Sequence, residues 1–157
     1  MDKKRTKYAK AALSLPPEKV ELDFCNTLPN NNMQTEKNYP IAQLTDEAVG
    51  LLKQLISIPS VSREEKEAAD ALQQYIEQQG ISTGRSGNNV WCFSPGFDTS
   101  RPTLLLNSHI DTVKPVAGWM KQPFKPQLES NGKLYGLGSN DAGASVVSLL
   151  QTFIALS

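Results

Sequence analysis

The sequence predicts an α/β fold in which helices flank a mixed sheet. Three observations support this fold class. Two amphipathic helical patterns follow one another between residues 45 and 80, extended apolar segments occupy 89–93 and 103–106, and a last apolar helical stripe runs over 144–154. Helices combined with extended apolar segments are typical of layered α/β domains. The 157 residues allow one domain with a hydrophobic core.

The first 40 residues predict a poorly ordered arm, which precedes a domain spanning residues 41–157. Four prolines and the asparagine run 30–32 interrupt any sustained periodicity in this arm. Its basic residues near the start are typical of a solvated tail. We assign no function to the arm.

Two helices are predicted after this arm. Thr45 is placed to cap the first helix and Pro59 closes it, while Ser62 and Glu65 form a capping box for the second helix, which Gly80 ends. The apolar positions of the first helix are Ala48, Leu51, Leu52, Leu55 and Ile56, and those of the second are Ala68, Ala69, Leu72 and Ile76.

Extended segments follow the second helix. A short strand over 81–83 leads through a turn at 86–88 into a strand at 89–93, and the next strand covers 103–107. After a loop, Asn131 and Gly132 mark a turn before a short strand at 133–136. The last apolar stripe then predicts the final helix.

The composition excludes several classes of partner. Sixteen basic residues balance sixteen acidic ones, so no overall field favours nucleic acid or an anionic membrane. Cys25 and Cys92 give neither a disulfide framework nor a zinc knuckle, which fits a reducing compartment. We find no signal peptide and no apolar stretch as long as a membrane span, and we therefore expect a cytoplasmic location.

The only histidine, His109, ends an apolar strand, and Asp111 follows two residues later. Side chains two apart in extended chain project to the same side. Histidine and carboxylate are the groups of hydrolytic zinc sites, and open α/β sheets place such groups beyond the carboxyl ends of strands. Asp111 could hold a metal-bound imidazole in one orientation. A lone histidine is more often structural, so the spacing leaves both readings open.

Asp141 follows a Gly-Leu-Gly-Ser loop and precedes small residues that let a ligand or another backbone approach. A carboxylate at this position could bridge two metal ions. The alternative is a helix N-cap or first-turn aspartate stabilised by the helix dipole. A dinucleotide site is excluded, because Asp141 replaces the third glycine of the Gly-x-Gly-x-x-Gly pattern and brings a negative charge there.

Covalent catalysis is not favoured. Ser139 lacks the Gly-x-Ser-x-Gly context of a nucleophile, and Ser108 is bonded directly to the only histidine, a poor arrangement for a base. Cys92 with His109 and Asp111 could imitate a thiol protease triad, but Cys92 lies within an apolar strand and is expected to pack in the core.

Four segments in the same order resemble the superfamily of metal-dependent aminoacylases, carboxypeptidases and acetylornithine deacetylases. The similarity extends over residues 44–157. The four segments are LLKQLISIPSVS at 51–62, LLLNSHIDTVKP at 104–115, GWMKQPF at 118–124 and GKLYGLGSNDAGASV at 132–146.

The resemblance implies roles for three residues. It implies that His109 binds one divalent ion, usually zinc with cobalt or manganese as alternatives, that Asp141 bridges two such ions, and that Asp111 supports the histidine in catalysis. The family's general base, one glutamate of an adjacent pair, and its other ligands follow later than Ser157. Glu64–Glu65 is not that pair, because it precedes His109.

The implied function is hydrolysis of the amide bond of a small N-acyl amino acid by metal-activated water. The nearest member looks like an acetylornithine deacetylase of arginine biosynthesis, with an N-succinyl substrate as an alternative. The resemblance identifies the chain as the N-terminal part of the catalytic domain, and it implies a homodimer for the full-length protein. With half of the metal site, this chain alone is expected to be inactive.

A second hypothesis is a non-catalytic module. An incomplete sheet edge and an exposed final helix would then mediate association with a second copy or with a complementing chain.

Overall fold

A computed structural model of the chain describes residues 8–14 and 41–157, and its fold is α/β. The four strands of the main sheet are β1 (Tyr8–Ser14), β2 (Thr83–Ser86), β3 (Asn89–Phe93) and β4 (Thr103–His109). The helices are α1 (Ile41–Ser57), α2 (Lys66–Gln78) and α3 (Ala144–Leu156). A separate two-stranded sheet joins β5 (Gln127–Leu128) to β6 (Leu134–Tyr135). The prediction of a mixed sheet flanked by helices is confirmed.

The main sheet has the strand order β2-β3-β1-β4. Strand β1 runs parallel to β3 and antiparallel to β4, while β2 and β3 form an antiparallel hairpin. Since β3 and β4 pair with β1 rather than with each other, β1 connects the hairpin to the strand that ends at His109.

The prediction of a poorly ordered arm over residues 1–40 is wrong for Tyr8–Ser14, which forms β1. Ala11 and Leu13 are buried in the hydrophobic core. The segment pairs with strands far along the chain, and local periodicity carries no information about such partners. Residues 1–7 and 15–40, including Cys25, lie outside the described residues. A domain boundary at residue 41 stays a prediction.

Both predicted helix starts are wrong. Helix α1 begins at Ile41 rather than at Thr45, whose hydroxyl donates to the carbonyl of Ile41 at 2.8 Å inside the helix. Helix α2 begins at Lys66, and its capping position makes no side-chain cap bond. The hydroxyl of Ser62 bonds Asp111 instead of capping the helix. The predicted end of α2 is confirmed, because Gly80 adopts a left-handed φ of 77° there.

The strands follow the predictions more closely. β3 and β4 are confirmed, with β4 extending to His109. The preceding strand lies at 83–86 rather than 81–83, and the turn before β3 contains Gly87 at φ 60°. The predicted turn at Gly132 is confirmed at φ 81°, but it joins two short strands, of which the sequence predicted one.

One core lies between the helices and one face of the sheet. Helices α2 and α3 contact the strands, and α1 packs against both of these helices. The core residues of the strands are Ala11, Leu13, Val90 and Cys92. The final helix is covered rather than exposed along its apolar face, contrary to the second hypothesis, because Val147, Leu150 and Phe153 are buried.

The opposite face of the sheet is less covered. Phe93 and Leu105 project there, opposite Ala12 of β1, and they are 49% and 56% exposed. We call Trp91, Phe93 and Leu105 the outer face. Among the described residues, the longest helices are too short or too polar to cross a bilayer.

Candidate metal centre

The strand β4 delivers His109 to the rim of the sheet, and the next two residues turn Asp111 back toward it. The Nδ1 atom of His109 lies 3.1 Å from the backbone oxygen of Asp111 and 3.3 Å from its Oδ1. The predicted placement of both side chains on one side is therefore confirmed. Both are partly buried, with side-chain exposures of 34% and 25%.

Asp141 reaches the same histidine from another part of the chain. It lies in the irregular turn Ser139–Gly143 between β6 and α3, and its Oδ1 lies 3.1 Å from Nε2 of His109. Its backbone is extended, with φ −120° and ψ 95°. Helix α3 starts at Ala144 without a side-chain cap, so the reading of Asp141 as an N-cap is wrong; Asp141 does lie in the first turn of the segment Ser139–Gly143 that leads into α3, as the other alternative predicts.

Small residues allow this turn to approach the strand exit. The amide of Gly143 donates to the carbonyl of Gly138 at 2.8 Å. A Cβ on Gly138 would lie 2.5 Å from Cγ2 of Thr112, and a Cβ on Gly143 would lie 2.6 Å from the oxygen of Gly138. Side chains at these positions would push Asp141 away from His109.

Both ring nitrogens of His109 face oxygen acceptors. Nδ1 lies beside the backbone and side-chain oxygens of Asp111, and Nε2 lies 3.1 Å from Oδ1 of Asp141. A neutral imidazole carries a proton on one nitrogen only, so it can donate to one of these aspartates and not to both. A second proton on the ring, or a metal ion between Nε2 and Asp141, satisfies both sides.

These donors have the chemistry of a zinc site. Zinc in proteins is bound by imidazole nitrogen and carboxylate oxygen, and an imidazole ligand usually donates its other N–H to an oxygen acceptor. The number of donors falls short, because the part of the chain that the structure describes contains no group of three or more ligating side chains suited to a metal. His109 and Asp141 thus fit one portion of a metal site.

An open cleft of about 340 Å³ lies over these residues. Trp119, 40% exposed, forms part of its apolar wall beside the polar group of His109 and the two aspartates. Apolar walls with a few convergent polar groups are typical of sites for small molecules. The cleft also includes Ser62, which sequence analysis assigned only to a helix cap.

The thiol of Cys92 does not belong to this site. Its residue is 2% exposed within the core, and burial raises the pKa of the thiol to about 11. A thiol with such a pKa stays protonated and is a poor nucleophile at neutral pH. The expectation that Cys92 packs in the core is confirmed.

Comparison with known proteins agrees with this arrangement. Residues 105–157, which include His109, Asp111 and Asp141, match the peptidase family M20/M25/M40. This segment of the chain is similar to that family. The match confirms the resemblance to the aminoacylase and carboxypeptidase superfamily of metallopeptidases.

Relatives within family M20/M25/M40 carry several names. A succinyl-diaminopimelate desuccinylase from Delftia acidovorans is 33% identical over 118 residues, which cover 67% of this chain and 30% of the relative. A probable carboxypeptidase from Emericella nidulans is 33% identical over 66% of the chain and 26% of its own length. A peptidase M20 domain-containing protein from Schizosaccharomyces pombe is 28% identical over 82% of the chain and 32% of its own length. The chain thus spans about a third or less of these relatives.

Proposed function

We propose that this chain contributes His109, Asp111 and Asp141 to a dinuclear metal site that hydrolyses the amide bond of a small N-acyl amino acid. One observation carries the proposal: Nε2 of His109 lies 3.1 Å from Oδ1 of Asp141 while Nδ1 faces oxygens of Asp111, in a segment that matches a peptidase family. A metal ion bound by Nε2 and Asp141, with the ring proton kept on Nδ1, would satisfy all of these groups.

The three residues have different roles in this proposal. His109 supplies Nε2 as a ligand, and Asp141, with 89% of its side chain exposed, offers carboxylate oxygens to two ions. Asp111 accepts a hydrogen bond from Nδ1–H at its backbone oxygen, 3.1 Å away, with its carboxylate beside it at 3.3 Å, and so keeps the lone pair of Nε2 directed at the metal. Bound zinc, or cobalt or manganese in its place, would supply Lewis acidity toward a carbonyl and lower the pKa of water.

The general base is not one of these three residues. The carboxylate of Asp111 accepts a hydrogen bond from Ser62 and lies beside Nδ1 of His109, and Asp141 serves as a ligand in this proposal. We therefore propose that the chain alone binds zinc weakly and turns over little substrate, since zinc sites normally take three or more protein ligands. The remaining ligands and the base belong to the part of the relatives that this chain does not span.

The substrate class is also part of this proposal. The names of the relatives support an N-acyl or peptide amide, with a succinylated diamino acid as the leading candidate. Acetylornithine deacetylation in arginine biosynthesis stays a prediction, as do a homodimer for the full-length protein and a cytoplasmic location. Such a substrate is small enough for the cleft beside Trp119.

Zinc titration by calorimetry into the chelator-stripped chain tests the metal site. We expect weak saturable binding that His109→Ala and Asp141→Ala each weaken by about tenfold or more, which corresponds to about 1.4 kcal/mol per tenfold change. Asp46→Ala, which removes an exposed carboxylate from α1, is the matched control and should leave zinc affinity unchanged.

Equal zinc affinity in the wild type and in both site variants would contradict the proposal. The same result would follow from binding that Asp46→Ala weakens as strongly as Asp141→Ala does. In either case zinc would be held by surface carboxylates rather than by His109 and Asp141.

A second candidate function is association without catalysis. The half-exposed side chains of Phe93 and Leu105 on the outer face favour it, as does the edge of β4, which pairs with no other strand among the described residues. The occupant that we propose is a second copy of this chain.

A further inference from the structure

The loop between α1 and α2 is fastened to the chain that leaves β4. The amide of Thr112 donates to the carbonyl of Ser60 at 2.8 Å, and the amide of Ser62 donates to the carbonyl of Thr112 at 3.1 Å. Val61 and Thr112 thereby form an isolated parallel bridge. Two backbone hydrogen bonds on either side of one residue determine how the loop lies against the site.

The side chain of Ser62 makes a direct contact with the candidate site. Its hydroxyl donates a hydrogen bond to Oδ2 of Asp111, 49 positions along the chain. The other carboxylate oxygen of Asp111, Oδ1, lies 3.3 Å from Nδ1 of His109, beside the backbone oxygen of Asp111 that Nδ1 faces at 3.1 Å. Because each oxygen has a different partner, the plane of the carboxylate is held in one orientation.

The buried carboxylate of Glu65 stabilises the loop between α1 and α2. Glu65, 1% exposed, accepts hydrogen bonds from the backbone amide of Arg63 and from the side-chain amide of Asn88 at 2.9 Å. Arg63 has a left-handed φ of 83°, which is unfavourable for a residue with a Cβ. The hydrogen bond that Glu65 accepts from Arg63 stabilises this backbone conformation, which directly follows Ser62. The hydroxyl of Ser62 then lies within hydrogen-bond reach of Asp111.

We propose that Ser62 is a positioning residue, which orients Asp111 and through it the imidazole of His109. The reason for orienting His109 rests on the proposed function, whereas the contacts themselves are all between residues of this chain. Ser62 does not touch the reacting groups in this arrangement. Ser62 orients the carboxylate of Asp111, which lies beside the proposed ligand His109. Mutation of such outer hydrogen-bond partners commonly lowers metal affinity by about 10- to 100-fold.

Nuclear magnetic resonance of the ring nitrogens of His109 tests the inference directly. His109 is the only histidine, so a chain labelled with ¹⁵N-histidine gives one pair of ring signals. In Ser62→Ala we expect both ring nitrogen shifts to move, because the carboxylate of Asp111 is free to rotate away from Nδ1 and leaves it only the backbone oxygen of Asp111. Ser62→Thr, which keeps a hydroxyl, should restore the wild-type shifts.

Two further variants keep the test decisive. Ser62→Cys retains the size of the side chain but supplies a poor donor, so it should reproduce the shifts of Ser62→Ala even if the alanine variant folds badly. Ser57→Ala removes a hydroxyl that donates to Lys53 within α1 and should change nothing at His109. Native amide spectra establish that each compared variant is folded.

Ring shifts in folded Ser62→Ala or Ser62→Cys that coincide with those of the wild type would overturn the inference. A parallel zinc titration should show affinity about tenfold lower in Ser62→Ala and restored in Ser62→Thr. If the wild type binds no zinc, the proposed function fails, whereas the ring shifts still decide whether Ser62 orients His109.

Discussion

At the residue scale, the site depends on which atoms of each side chain already have a polar partner. Nδ1 of His109 faces Asp111, and Nε2 therefore faces Asp141. Glycine at 138 and 143 makes this possible, because the turn that carries Asp141 lies against Thr112 and Leu52 without room for a Cβ. The chemistry of the polar groups and the absence of side chains beside them are therefore equally necessary.

Gly138→Ala should destabilise the protein through both its backbone and its contacts. Gly138 has φ 76°, and an alanine Cβ would lie 2.5 Å from Cγ2 of Thr112. We expect a loss of about 2–5 kcal/mol in the free energy of unfolding, from about 1–2 kcal/mol for left-handed backbone and about 1–3 kcal/mol more for overpacking. Urea unfolding followed by circular dichroism measures this loss.

Gly132→Ala is the matched control for that experiment. Gly132 has nearly the same φ, 81°, but a Cβ there meets nothing within 4 Å. Its loss should be limited to the backbone term of about 1–2 kcal/mol. Equal losses for the two variants would show that Thr112 moves aside freely and that the close approach at Gly138 has no energetic consequence.

At the scale of elements, β1 determines whether the sheet is continuous. It lies between β3 and β4, which do not pair with each other, and it carries Ala11 opposite both Cys92 and Leu106. The strand that ends at His109 is thus attached to the rest of the sheet through a segment from the N-terminal part of the chain.

Ala11→Asp should separate these strands. Ala11 is 7% exposed, and a carboxylate at this position loses its hydration without a partner in the core. We expect the free energy of unfolding to fall by about 3 kcal/mol or more. Asn107→Asp introduces the same side chain at an exposed position of β4 and should cost less than about 0.5 kcal/mol.

Chemical denaturation of both variants measures the difference between them. If Ala11→Asp were as stable as Asn107→Asp, β1 would not be part of the folded sheet in solution. Amide hydrogen exchange in β3 and β4 gives a second readout, because both strands should lose protection when β1 is displaced.

At the scale of the whole molecule, the two sides of the sheet differ in how the described residues cover them. All three helices contribute to the core on one side. The outer face presents Phe93 and Leu105, and no described strand pairs with the outer edge of β4, whose Leu104 is 43% exposed. Apolar surface beside an unpaired strand edge favours association between chains.

Sedimentation velocity should therefore show an average sedimentation coefficient that rises with protein concentration. Leu105→Lys, which places a charge on the outer face, should reduce this rise. Leu156→Lys is the control, because Leu156 is 66% exposed at the end of α3, away from the outer face. A coefficient of monomer size at all concentrations would contradict association and would leave the metal site as the remaining candidate function.

The sequence by itself determined the elements whose evidence is local. The apolar stripes of the three helices, the strands β3 and β4 and the contact of His109 with Asp111 all depend on residues a few positions apart, where the periods of helix and strand decide the geometry. The grouping of Asp141 with His109 came from resemblance to a family, because the local pattern left a metal ligand and an N-cap or first-turn aspartate both open.

Only the tertiary structure decided the contacts between distant segments. β1 enters the sheet between two strands that come much later, Asp141 meets His109 across 32 positions, and Ser62 bonds Asp111 rather than capping its own helix. A hydroxyl or carboxylate can satisfy its hydrogen-bonding capacity locally or across the fold, and the choice depends on which group the folded backbone brings within about 3 Å. That distance is a property of the packed chain, which no local pattern contains.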